Sequence, residues 1–96
     1  MSTLLPRPIS HTEICQRVRG IIADALVVNI GTVRDTLYLR VGLGLSWSQT
    51  QMIVAVIESA FEVHLPEAWT DEFWTSGTVG ELISLVEGAL KAGGIS

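Results

Sequence analysis

Apolar residues recur along this chain at helical spacing in three separate blocks, each introduced by a polar residue able to cap a helix. Ile14, Val18, Ile21, Ile22, Ala25 and Leu26 follow Ser10-x-x-Glu13, with Arg17, Arg19 and Asp24 between them. The spacing and the capping box predict a first helix over residues 11 to 27. Asn29, Gly31 and Thr32 break the pattern. The loop that runs on to Leu45 carries Leu37, Tyr38, Leu39 and Val41, which suggests that it packs against the rest of the fold. A second helix is expected over 47 to 61, with Ile53, Val54, Ile57 and Phe61 facing inward. Leu65-Pro66 ends that segment, and Pro66 suits the first turn of a short helix over 67 to 74. Thr78-x-x-Glu81 caps a last helix over 79 to 91, with Leu82, Ile83, Val86 and Leu90 on one face.

Four helices with a long first connection form a small all-α bundle. The organisation read from the chain is an extension over 1 to 10, a helical domain over 11 to 91 and a flexible tail over 92 to 96.

The segment Leu43-Gly44-Leu45-Ser46-Trp47-Ser48, followed after the second helix by Phe61-Glu62-Val63-His64-Leu65-Pro66, resembles the acyl carrier and aminoacyl or peptidyl carrier protein family. That family's motif is a Gly, two residues, a modified Ser and a helix, with Phe-x-x-x-[Ile/Leu]-Pro at the far end. The resemblance covers residues 12 to 90 and implies a four-helix bundle with a long first loop and a short third helix. It also implies a phosphopantetheine arm, joined through a phosphodiester to a Ser hydroxyl at a helix start, where backbone N–H groups and the helix dipole favour an anion. Counting back without a gap from Phe61 and Pro66 places Trp47 at the modified position. An indole has no hydroxyl to phosphorylate.

The neighbouring serines are the remaining candidates for cofactor attachment. Ser46 stands where the family usually has Asp and reads as a helix cap, with Gln49 closing a capping box. Ser48 is one residue further on, a turn of about 100° around a helix. No cofactor is therefore expected, and phosphopantetheine enters only in the alternative, a working acyl or aminoacyl carrier modified at Ser46 or Ser48, or one whose attachment Ser has been replaced by Trp through engineering.

The family's row of acids along the second helix, which docks on basic patches of partner enzymes, is also missing. Gln49, Thr50 and Gln51 follow Trp47, and Glu58 is the one acid inside the helix. A biosynthetic enzyme or ligase docking on this helix start would be recognised by shape, hydrogen bonds and apolar contact, with Trp47, Gln49, Thr50 and Gln51 as the binding residues. The indole of Trp47 has two readings, an exposed interface anchor or a plug in the cleft that would hold an acyl chain. The first is favoured by its polar neighbours, and it leaves self-association open. Trp69, Phe73 and Trp74 read as core or rim packing of the short third helix.

Charge narrows the partners. The formal net charge is −4, from five Arg against three acids in residues 1 to 40 and one Lys against seven acids thereafter. No basic stripe of the kind phosphate contacts require is present, so nucleic-acid binding is not expected. The longest apolar run, residues 52 to 57, is far too short to span a bilayer, and residues 1 to 10 lack the apolar core of a signal peptide. The single Cys15 excludes an internal disulfide and suits a reducing cytoplasm. Cys15 reads as a small buried hydrophobe, and His11 and His64 lie apart in the pattern. No metal-site spacing and no catalytic constellation stands out, and the chain is read as a non-enzyme.

Overall fold

The computed structural model describes residues 10 to 93. Helix α1 is His11–Leu26, α2 Trp47–Phe61, α3 Asp71–Ser76 and α4 Val79–Gly93, and two short 3-10 turns lie at Ile30–Thr32 and Pro66–Trp69. Among the described residues there is no strand, only an isolated antiparallel bridge between Tyr38 and Thr78. The molecule is the small four-helix bundle that the hydrophobic pattern predicts. Residues 1 to 9 of the expected extension and 94 to 96 of the expected tail lie outside the described residues.

The caps act where the sequence puts them. Ser10 Oγ accepts from the Glu13 N–H at 3.1 Å, and Thr78 and Glu81 close a reciprocal box at the start of α4. Helix α1 stops at Leu26, one residue short of the expected end, because Val27 takes a left-handed conformation (φ 56°). A β-branched residue is poorly suited to that region.

Two boundaries differ further from expectation. The single helix expected over 67 to 74 is split at Thr70, whose backbone is extended; its hydroxyl accepts from the Phe73 N–H at 3.1 Å and so caps α3 afresh. At the other end, α4 continues through Ala92 and Gly93 instead of stopping at Lys91.

Helix α1 packs against α2 and α4. The core between them joins Ile14, Val18 and Ile22 to Ile53, Val54, Ile57 and Phe61 and to Val79, Leu82, Ile83 and Val86. Each such side chain withdrawn from water contributes about 1.5–3 kcal/mol to folding. Ala25, expected on the inner face, is exposed.

The long loop does fold back on the bundle, through Val33, Leu39 and Leu45, which are fully buried, while Val41 and Tyr38 face solvent. Backbone bonds fasten it to the start of α4: the Leu39 N–H donates to Gly77 O at 3.0 Å, the Val79 N–H to Leu37 O at 3.0 Å and the Gly80 N–H to Asp35 O at 2.9 Å. Arg19 reaches across from α1 and donates from Nε to Val33 O at 2.7 Å. The loop is consequently a rigid support for the residues that open α2.

Candidate functional site

Buried Leu45 fixes where the chain enters α2, and Ser46 turns it into the helix. The Ser46 backbone is extended (φ −76°, ψ 169°) and its hydroxyl accepts from the Gln49 N–H at 3.1 Å, while Gln49 Oε1 accepts from the Ser46 N–H at 2.9 Å. The Ser46 carbonyl receives both the Thr50 N–H and the Thr50 hydroxyl, each at 2.9 Å. Ser46 is thus a helix cap, bonded through its side chain, its N–H and its C=O.

Trp47 is the first residue of the helix. Its ring is half-buried and meets Trp74 of α3 edge to face, with centroids 5.8 Å apart and an interplanar angle of 66°. Trp74 is itself held from two sides of the sequence: its indole N–H donates to Leu45 O at 2.9 Å, and the Arg40 guanidinium lies 5.1 Å from its ring centre. Aromatic pairs of this geometry contribute about 0.5–1.5 kcal/mol beyond area burial. The loop, the start of α2 and the short α3 are therefore joined at one aromatic and cationic cluster. Neither expected placement of Trp47 describes it fully, since the indole is neither a free-standing anchor nor buried in the core.

The expected binding residues differ in exposure. Gln49 is exposed but engaged with Ser46, and Gln51 is half-buried. Thr50 is a correction: it is 2% exposed, because its hydroxyl satisfies the Ser46 carbonyl and its methyl group turns inward with the helix. It is not available to a partner. Ser48 is exposed at the second helical position.

The single acid of α2 has an internal task. Glu58 Oε2 accepts the Leu65 N–H at 2.7 Å and the Trp69 indole N–H at 3.0 Å, which ties the segment after α2 back onto the helix. Of the three aromatics read as core or rim packing, Phe73 is half-buried against the core, Trp74 is half-buried and Trp69 is exposed.

The sequence reading missed the outward face of α2. Met52 and Val56 are 58% and 47% exposed and border a shallow apolar depression shared with Ile21, Asp24 and Ala25 of α1. The signal was present in the i, i+4 spacing of Met52 and Val56, which lie beside Ile53 along the depression. Among the described residues no group of three His, Cys, Asp or Glu side chains could hold a metal ion, and no helix is long and apolar enough to cross a membrane.

The fit of a phosphopantetheine arm can be judged from the side chains at the helix start. Position 47 offers no hydroxyl, the Ser46 hydroxyl is committed to the cap, and Ser48 projects from the next position around the helix. Trp47 itself therefore offers no attachment point, and the hydroxyls at the helix start are those of Ser46 and Ser48.

The fold, four helices with a long first loop and a short third helix, is consistent with a small acyl-carrier-protein-like bundle. The chain matches no family model. It is 28% identical over 79 residues to the acyl carrier protein of Prochlorococcus marinus (strain MIT 9515), across 82% of this chain and 95% of that protein.

Proposed function

We propose that this chain is a carrier-protein-like domain whose phosphopantetheine attachment site has degenerated, and that it serves as a non-catalytic interaction module of a biosynthetic system in the cytoplasm. The observation that carries this reading is the register of α2. Trp47 begins the helix directly after the Ser46 cap, the place at which the resemblance puts the modified serine. The partner is a biosynthetic enzyme or ligase that meets the start of α2 around Trp47, Gln49 and the half-buried Gln51. Glu58 is committed to Leu65 and Trp69, so electrostatic steering along α2 is weak and contact is made by shape and apolar surface.

The test is the intact mass after co-expression with a broad-specificity phosphopantetheinyl transferase. The chain is expected to gain no arm, and Trp47→Ser to gain one. An arm on the unaltered chain, mapped to Ser46 or Ser48, would overturn the reading in favour of a working carrier.

A further inference from the structure

Away from the start of α2, the geometry points to a reactive centre: Cys15, His11 and Glu87 form a nucleophile, base and orienting carboxylate that can accept an acyl group from a thioester donor onto the Cys15 sulfur. His11 and Cys15 lie one turn apart on α1, with Sγ 3.3 Å from His11 Nε2. Glu87 comes from α4, and its Oε2 is 2.6 Å from His11 Nδ1. A carboxylate in this contact accepts, so Nδ1 carries a ring hydrogen, and in the tautomer with that hydrogen alone Nε2 accepts the thiol hydrogen. This is the arrangement that activates a thiol nucleophile, a base within reach oriented by a third group.

The surroundings make the base necessary. Burial first, then the negative charges of Asp35 and Glu87, push the Cys15 thiol up from its ordinary value, and the Arg19 guanidinium opposes them only in part. The resting sulfur is a thiol, and its attack on an electrophile needs a partner to remove the proton. His11 is open to solvent, with 66% of its side chain exposed against 29% for Glu87. A donor can therefore approach from the His11 side.

The chemistry balances without an oxidant. The Cys15 proton passes to His11 Nε2 as Sγ attacks the carbonyl carbon of the donor thioester. The bond from that carbon to the donor's sulfur then breaks, and the leaving thiolate takes the proton from His11. The products are a thioester on Cys15 and a free donor thiol. With one cysteine in the chain, a disulfide at Cys15 would have no internal thiol to resolve it, whereas an acyl group stays at the oxidation level of the donor. Glu87 is a positioning residue in this step. The inference does not rest on the reading of Trp47.

The experiment uses the full chain with the acetyl thioester of N-acetylcysteamine, followed by intact mass and peptide mapping, with N-acetylcysteine as the free-thiol reference. Acetylation of Cys15 is expected about 10²-fold faster than that of the reference, the lower end of the range for general-base assistance. Cys15→Ser should take no label and His11→Ala should fall to the reference rate, with free imidazole restoring part of the loss. Glu87→Gln should slow the reaction and Glu87→Asp, which keeps the carboxylate, should recover part of it. Circular dichroism checks that each variant is folded, and His11→Asn replaces His11→Ala if the latter is not. Labelling at the reference rate, or a rate unchanged by the His11 and Glu87 variants, overturns the proposal.

Discussion

The Trp47 and Trp74 rings meet at a centroid distance of 5.8 Å, and that contact makes the residue at the start of α2 part of the packing that holds α3. Since Trp74 also donates its indole N–H to Leu45 O, the loop, α2 and α3 share one support. A substitution at Trp47 is consequently felt in two elements.

Trp47→Ala should therefore have an intermediate effect on stability. An exposed anchor would cost within about 0.5 kcal/mol, and an indole buried in the core about 3–5 kcal/mol. Half-burial and the lost edge-to-face contact predict a loss of about 1–2 kcal/mol. Urea denaturation measures it, and a double-mutant cycle with Trp74→Ala isolates the pair. A cycle energy of zero would show that the rings are merely neighbours.

Glu58 supplies a second test, because one carboxylate oxygen serves two donors. Glu58→Ala removes the acceptor from the Leu65 N–H and the Trp69 indole. The first of these donors is partly buried and would be left without this partner, so the expected loss is about 1–3 kcal/mol. Glu58→Gln keeps an acceptor oxygen and should lose less. If both substitutions leave the denaturation midpoint where it was, the carboxylate does not tie the Leu65 segment to α2.

The elements most legible in the sequence are those set by local chemistry. Ser46 with Gln49 and Thr78 with Glu81 each lie within one turn, so the starts of α2 and α4 fall where their caps predict. Thr70 was harder to read, since the same hydroxyl that restarts α3 is also compatible with an unbroken helix after Pro66. At the candidate site the sequence shows which residue stands at position 47 but not what it touches. Thr50 looks like a surface residue because it is polar, yet its hydroxyl can turn inward against the Ser46 carbonyl and free its methyl group for the core. The Trp47 contact with Trp74, and the approach of Glu87 to His11 across 76 positions of sequence, arise from packing of whole helices and have no local signal. The spacing of His11 and Cys15 did have one, as residues four apart share a helix face.

Val27 provides the last test, and here the expected change is a gain. It ends α1 at φ 56° and is 89% exposed, while its N–H bonds back to Ala23 O and Asp24 O. Those backbone bonds do not depend on the side chain, and glycine is the residue that reaches this conformation without a Cβ penalty. A non-glycine residue there costs about 1–2 kcal/mol in crowding against its own carbonyl. Glycine recovers that and loses about 0.5–1 kcal/mol through the greater freedom of the unfolded chain. The net expectation for Val27→Gly is a stabilisation of up to about 1.5 kcal/mol, seen as a higher denaturation midpoint with an unchanged slope. Destabilisation instead would mean that the exposed isopropyl group makes a contact of its own, and the strained valine would then be part of a working surface at the end of α1.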